Sequence, residues 1–169
     1  MTYLLDANVF IQAHRFHYGF DICPGFWNWL EAQHALGNLL SVAQVGRELA
    51  AGNDLLAEWA AGNGSLFSEA DAGAVASMAV ISRWVTSQGY EPAAINTFLQ
   101  VADYYLVAAA HAHGHVLVTH EKPDGALRRV KIPNVCVGLG IRFMSPFEML
   151  RVERARFVLG VAGAPEVGR

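Results

Sequence analysis

The sequence has few cysteines, few charges and no long uncharged apolar run. Its two cysteines, Cys23 and Cys136, lie far apart and in no CxxC pattern, which argues against a disulfide framework and indicates free thiols in a reducing compartment. No stretch approaches the ~20 uncharged apolar residues of a membrane span. A signal peptide is not expected, because Asp6 interrupts the N-terminal apolar run and no basic start precedes it. We therefore expect a soluble, cytoplasmic protein without a membrane partner.

Most of the chain is apolar, with 53% hydrophobic and 16% charged residues among its 169. This length and composition predict one domain with a continuous core over residues 1–156, followed by a flexible Gly/Ala/Pro-rich tail over 157–169. The formal net charge of −3 argues against a protein that coats nucleic acid without specificity. Basic residues nevertheless cluster in one short stretch, at Lys122, Arg128, Arg129 and Lys131.

Short apolar strands alternate with helical segments along the sequence. We expect strands at 2–5, 39–40, 116–119 and 141–144, and helices at 9–17, 24–37, 43–50, 54–61, 70–87, after 92, at 101–113 and at 146–156. Capping-box patterns predict two helix starts, from Ser41 to Gln44 and from Ser145 to Glu148. Pro133 is expected to open only a short turn. The alternation predicts an α/β fold whose parallel sheet is covered on both faces.

Two of the predicted strands end at a carboxylate. Asp6 follows the first strand and Glu121 follows the strand at 116–119, and the carboxyl ends of parallel strands meet at one edge of a sheet. Asp103 lies on the apolar face of its helix, and Glu48 lies beside the apolar stripe of another helix. We therefore expect four carboxylates to point inward.

A cluster of four carboxylates needs compensating positive charge or protons. Two like charges ~4 Å apart repel by roughly 4 kcal/mol at an effective dielectric constant of about 20. Oxygen ligands without a dominant set of Cys or His select hard cations, here Mg²⁺ or Mn²⁺. Such ions lower the pKa of a bound water and stabilise attacking and leaving oxygens, which favours phosphodiester hydrolysis.

The same residues resemble the PIN-domain (PIN-like) nuclease superfamily. The similar segments are Asp6-Ala7-Asn8, Val45-Gly46-Arg47-Glu48-Leu49, Asp103 to Ala110, and Val116-Leu117-Val118-Thr119-His120-Glu121. Across residues 2–150 the four acids stand in the order of that family, and the most similar group is the VapC-type toxin ribonucleases. The stretches Thr119 to Pro123 and Ile132 to Cys136 also resemble an uncharacterised PIN-like subfamily.

This resemblance implies a three-layer α/β/α sandwich with a short, mostly parallel central sheet and a Mg²⁺- or Mn²⁺-dependent endoribonuclease. It implies that Asp6, Glu48, Asp103 and Glu121 hold metal, while Asn8 orients Asp6 or the attacking water. It further implies a toxin of a type II toxin-antitoxin system, a cognate antitoxin as partner, and a homodimer. Two features depart from the family pattern: the fourth acid is more often Asp, and the region 50–102 is longer than usual.

Basic residues around the fourth acid are further candidates for the site. Those that could contact RNA phosphates are His120, Lys122, Arg128, Arg129 and Lys131. The other nearby histidines, His111, His113 and His115, are interpreted as ordinary surface residues and not as a Zn²⁺ site. Residues two apart do not share a helix face, and this set bridges a helix end and a strand.

Three other functional classes stay open. A non-catalytic PIN-like interaction module would use the same acids only to bind metal or to stabilise the fold. A structure-specific DNA nuclease would share the core but usually needs a larger chain. A phosphatase of the haloacid-dehalogenase type also begins with an apolar strand and an Asp, but it requires D-x-D, and Asn8 occupies the third position here.

Overall fold

A five-stranded parallel sheet forms the centre of the protein in a computed structural model that describes residues 1–160. The strands follow the order β3-β2-β1-β4-β5 and comprise β1 (Tyr3–Leu5), β2 (Leu39–Val42), β3 (Phe67–Ser68), β4 (Val116–Val118) and β5 (Phe143–Met144). β1 suits the middle position because Tyr3, Leu4 and Leu5 are all buried, which is typical of a strand covered on both faces.

Helices cover both faces of this sheet. In chain order they are α1 (Ala7–Gln12), α2 (Pro24–Ala35), α3 (Ala43–Ala50), α4 (Leu55–Gly62), α5 (Ala72–Ser87), α6 (Pro92–Phe98), α7 (Ala102–His113), α8 (Ile132–Leu139) and α9 (Pro146–Val152). α7 contacts β1, β2 and β4 and packs along α5. The predicted three-layer α/β/α sandwich is confirmed. Within residues 1–160, no helix has the length and apolarity needed to cross a membrane.

The strands β1 and β4 end side by side. Leu5 pairs with Val118, and the ladder continues one residue further, because the Asp6 N–H donates to the Val118 carbonyl at 3.0 Å. On the other side of β4, the Thr119 N–H donates to the Met144 carbonyl at 3.1 Å. Asp6 and Thr119 therefore leave the sheet as neighbours at its carboxyl edge.

The capping box predicted at Ser41 is wrong, although the helix itself is correct. Ser41 is buried in β2, and its hydroxyl donates to the Leu5 carbonyl at 2.6 Å. α3 begins after Val42 without a side-chain cap. The capping box of Ser145 and Glu148 is confirmed, with both reciprocal hydrogen bonds present.

Three helix boundaries differ from the prediction. α8 is a two-turn helix that contains Pro133 in its first turn, where proline is compatible with helix geometry, and it ends at Gly140 with a φ of 67°. α1 begins at Ala7 and continues as a π-helical turn over Ala13–His17. α9 ends at Val152, short of residue 156. The short strand β3, which follows a 3₁₀ turn (Gly64–Leu66), was not predicted.

The packed part of the chain reaches at least Phe157. Its ring centroid lies 5.9 Å from that of Tyr18 and 6.1 Å from that of Phe26. This contact falls at the first residue of the predicted tail. Residues 161–169, which form most of that tail, lie outside the described residues.

Candidate metal and catalytic site

The Thr119 hydroxyl connects the ends of β1 and β4. It donates to Asp6 Oδ2 at 2.8 Å and accepts from Asn8 Nδ2 at 3.1 Å. It also accepts from the Glu121 N–H at 3.1 Å. Asn8 Oδ1 in turn accepts from the His120 N–H at 3.1 Å. Asn8 therefore reaches Asp6 through Thr119, so its predicted orienting role acts through a third side chain.

Asp6 is buried and Asp103 is half-buried, and the pKa values of both acids are raised. Burial, followed by the charge of Asp103, raises the pKa of Asp6 to about 7, and the charge of Glu121 raises it further against the Thr119 hydrogen bond. Burial and the charges of Glu121 and Glu48 raise the pKa of Asp103 to about 6, although Arg129 opposes this shift. Asp6, Asp103 and Glu121 thus interact electrostatically with one another, whereas Glu48 interacts with Asp103. The site holds more negative charge than its surroundings compensate.

Glu121 has partners for both of its carboxylate oxygens. Oε1 forms an ion pair with the Arg129 guanidinium, and Oε2 accepts from the Ile132 N–H at 3.0 Å, at the start of α8. The second contact is the favourable placement of a carboxylate at a helix N-terminus. The loop 122–131 consequently folds back so that one of its arginines neutralises the fourth acid.

Glu48 and Asp103 line an open cleft of about 580 Å³ together with Arg128 and Arg129. Glu48 was expected to point inward but is exposed, unlike the other three acids, because it faces this open cleft; desolvation of its carboxyl still raises its pKa. Two arginines that were predicted from sequence to contact phosphates therefore lie in the same cleft as two of the predicted metal ligands. Arg128 is almost fully exposed there, with its Nε 3.7 Å from Glu91 Oε1.

The remaining predicted phosphate contacts lie further from the acids. Lys131 forms an ion pair with Asp124 and donates to the Lys122 carbonyl at 3.4 Å, so it holds the loop together. The Lys122 side chain is exposed. The imidazole of His120 packs in a cluster of rings with His17 and Phe147.

The donor set fits a hard divalent cation. Asp6 and Asp103 are oxygen donors, are mostly buried and interact with like charges, and added positive charge would relieve this repulsion. Among residues 1–160 no group of three or more His, Cys, Asp or Glu side chains is arranged to hold a metal ion. The fit therefore depends on charge and ligand type, and Glu121 would have to exchange its contact with Arg129.

The sequence interpretation missed Thr119 as a member of the site. Its hydroxyl is buried and makes three hydrogen bonds, yet a threonine at the end of a strand is common because β-branched residues favour strands. Its position in the sequence was the available signal. Thr119 directly follows the strand β4, as Asp6 directly follows β1, and the two side chains meet at the edge of the sheet. The role of Arg129 as the partner of Glu121 was not predicted either.

Comparison with known proteins gives a family and no function. Residues 3–157 match the sequence profile of DUF4411, described as a domain of unknown function. No curated protein matches the chain. Because the profile covers nearly all of the described structure, including every acid of the site, the chain belongs to the DUF4411 family of domains of unknown function.

Proposed function

We propose that this protein is a Mg²⁺- or Mn²⁺-dependent endoribonuclease of the PIN-domain type that hydrolyses RNA phosphodiester bonds. The observation that supports this proposal is the buried Asp6 at the carboxyl edge of a parallel sheet, where the charges of the half-buried Asp103 and of Glu121 raise its pKa. Ligands of such sheets bind at this edge, and a buried excess of carboxylates is typical of a cation site.

Under this proposal each residue of the site has a defined task. Asp6, Glu48, Asp103 and Glu121 hold the ion, which supplies positive charge to the scissile phosphate and makes water more acidic when bound. The Thr119 hydroxyl fixes one oxygen of Asp6, and Asn8 fixes Thr119. Arg128 and Arg129 line the cleft and position substrate phosphates.

The proposal extends to the setting in which the enzyme acts. The resemblance to VapC-type ribonucleases supports a cytoplasmic toxin of a type II toxin-antitoxin system, with a cognate antitoxin as its partner and a homodimer as its assembly. This extension depends on sequence resemblance alone, and the proposed chemistry does not require it.

The decisive experiment compares Asp6→Asn with Asp21→Asn, an exposed aspartate that is not among the charges that shift the pKa of Asp6 or Asp103. Both proteins are incubated with RNA and Mn²⁺ or Mg²⁺, and both are expressed in cells to measure growth. We expect Asp6→Asn to abolish RNA cleavage and growth inhibition and Asp21→Asn to retain both. Intact cleavage by Asp6→Asn, or undiminished cleavage in EDTA, would show that the proposal is wrong.

One observation favours the non-catalytic interaction module as a second candidate. Both oxygens of Glu121 already have partners within the protein, so this acid acts structurally without any ion. Calorimetric titration with Mn²⁺, combined with cleavage assays on several RNAs, separates the two functions. Mn²⁺ binding without cleavage of any RNA would favour the module, whereas cleavage that depends on Mn²⁺ would exclude it.

A further inference from the structure

A groove rich in arginine and aromatic residues lies between the end of α9 and the segment that follows α1. It encloses about 320 Å³, and its walls carry the rings of Tyr18, Phe147 and Phe157 and the side chains of Arg151, Arg154 and Arg156. In the described part of the chain, no carboxylate lines this groove, although Arg151 lies close enough to Glu148 to lower the pKa of that carboxyl. Within residues 1–160 none of the three arginines takes part in an ion pair. A local positive surface is notable in a chain whose formal net charge is −3.

Three rings connect this groove to the acids. The centroid of His17 lies 5.8 Å from that of His120 and 5.4 Å from that of Phe147, and the centroids of His120 and Phe147 are 5.6 Å apart. Phe147 also lines the groove. His120 stands in the chain between Thr119 and Glu121, so the ring cluster begins directly beside the candidate catalytic site. The His120 N–H donates to Asn8 Oδ1 at 3.1 Å, and the ring cluster and the groove share Phe147. The ring cluster therefore connects the groove to the residues at the carboxyl end of β1.

Arg154 occupies a backbone position that favours glycine. α9 ends in a Schellman motif, in which the Arg154 N–H donates to the Arg151 carbonyl at 3.1 Å and the Ala155 N–H donates to the Leu150 carbonyl at 2.9 Å. The residue at this position adopts a left-handed conformation, and Arg154 has a φ of 53°. Glycine is strongly preferred there because it has no Cβ. An arginine in its place is a conformational outlier of the kind found at binding sites.

We propose that the surface from His17, His120 and Phe147 to Arg151, Arg154 and Arg156 binds single-stranded RNA on one side of the cleavage point. The rings would stack on unpaired bases, and the arginines would contact the phosphates that follow. This inference rests on the proposed function, since it takes the acids as the place of cleavage.

The combination of aromatic rings and arginine side chains favours single-stranded RNA over other ligands. Sites for single-stranded nucleic acid combine a positive groove with exposed aromatic side chains on which bases stack. A duplex keeps its bases stacked inside and offers only its backbone and groove edges, so it would not use Phe147. An acidic protein segment would complement the arginines, but it would gain nothing specific from the cluster of rings beside the acids.

The test measures binding separately from cleavage. The full chain is titrated, in EDTA, against a fluorescein-labelled oligouridylate, the same strand annealed to oligoadenylate, and poly-glutamate as competitor. The variants are Arg154→Gly, Phe147→Ala and Phe147→Tyr, with Arg83→Gln as the control because Arg83 is an exposed arginine on α5. Thermal unfolding of each variant reports on its fold.

Arg154→Gly separates a binding role from a structural one. We expect it to raise the melting temperature, because glycine suits the left-handed position, and yet to weaken oligouridylate binding. The slope of log affinity against log salt concentration should fall in magnitude by about 0.7, the value for one phosphate contact to a single strand. Phe147→Ala should weaken binding by about five- to 150-fold, as for one stacked base, and Phe147→Tyr should retain it. Arg83→Gln should bind like the unmodified protein.

Three results would overturn the inference. In the first, Arg154→Gly and Phe147→Ala bind oligouridylate as tightly as the unmodified protein. In the second, the protein binds the duplex as tightly as the single strand, and the two variants lose affinity for both equally. In the third, the protein binds poly-glutamate more tightly than the RNA. The proposed function fails in a different way, by absence of cleavage with Mn²⁺ or Mg²⁺. Loss of binding in these variants without any cleavage by the unmodified protein would therefore support the groove and reject the nuclease.

Discussion

Arg129, which lines the acidic cleft, forms an ion pair with Glu121. The Glu121 side chain is 12% exposed and the Arg129 side chain is 65% exposed, so an exposed arginine is paired with a largely buried carboxylate. The same arginine opposes the rise in the pKa of Asp103. The loop 122–131 therefore supplies a positive charge at the place where the proposed function requires a divalent cation. Arg129 and the cation should compete for the same negative charge.

Replacement of Arg129 by Gln tests this competition. We expect Mn²⁺ to bind more tightly, by roughly three- to tenfold, because one positive charge leaves the site. The metal-free protein should melt at a lower temperature, since a largely buried carboxylate loses its partner. Isothermal titration calorimetry and thermal unfolding in EDTA measure the two effects.

Arg128→Gln provides the matched control for this change. Arg128 lines the same cleft and carries the same charge, but it is almost fully exposed and does not touch Glu121. It should leave both the melting temperature and the Mn²⁺ affinity near those of the unmodified protein. Equal effects of the two substitutions, or weaker Mn²⁺ binding by Arg129→Gln, would contradict a direct competition.

The Thr119 hydroxyl should be needed for stability as well as for activity. Thr119→Val keeps the shape of the side chain but leaves Asp6, Asn8 and the Glu121 N–H without a shared partner. We expect the free energy of unfolding to fall by about 1–3 kcal/mol, the usual cost of unsatisfied buried polar groups. Thr119→Ser, which retains the hydroxyl, should recover most of this loss. Urea unfolding of the unmodified protein, Thr119→Val and Thr119→Ser at one pH measures this free energy. Equal stability of the two variants would show that the Thr119 hydroxyl does not link the ends of β1 and β4.

The acids at strand ends were predictable because their signal is local. Asp6 directly follows the apolar strand β1, and Glu121 stands three residues after the apolar strand β4. The edge of a parallel sheet brings such positions together whatever the loops do. Asp103 was predictable for a similar reason, since helical periodicity alone places it on the buried face of α7.

Contacts that depend on the return path of a loop were not predictable. The pairing of Glu121 with Arg129 requires a particular course of residues 122–131, which no periodic pattern describes. At Ser41 the local pattern itself was misleading, because it is the pattern of a helix cap. In the folded protein Ser41 belongs to β2, and its hydroxyl donates to the Leu5 carbonyl instead. The ring cluster combines His17, His120 and Phe147 from three distant segments, so only the folded chain reveals it.

The two cysteines should differ sharply in reactivity. Cys136 is fully buried in α8, and burial raises the pKa of its thiol to about 12, whereas Cys23 is only half-buried. The thiolate is the reactive form, so the native protein should release one equivalent of thionitrobenzoate from Ellman's reagent and a second only after unfolding. Cys23→Ser should remove only the equivalent that is released rapidly from the native protein, which is the fast phase of the reaction. A fast phase that persists in this variant would show that α8 opens readily.

The stability of the metal-free protein should fall as the pH rises. The pKa of Asp6 is raised from 3.8 to about 7 and that of Asp103 from 3.8 to about 6, so between about pH 4 and 7 these two carboxyls bind more protons in the folded state than in the unfolded state. Their contribution to the free energy of unfolding therefore decreases with increasing pH across this window. Burial lowers the pKa values of His115 and His120, which contribute in the opposite direction, and Asp6→Asn separates the two contributions. In EDTA, the melting temperature should be higher at pH 5 than at pH 8, and Asp6→Asn should reduce the difference. Mn²⁺ should raise the melting temperature mainly at pH 8, where protons no longer compensate the carboxylates. Greater stability at pH 8 than at pH 5 in EDTA would mean that the protein's own charges already neutralise the acids of the site. In that case the site would not need a bound cation.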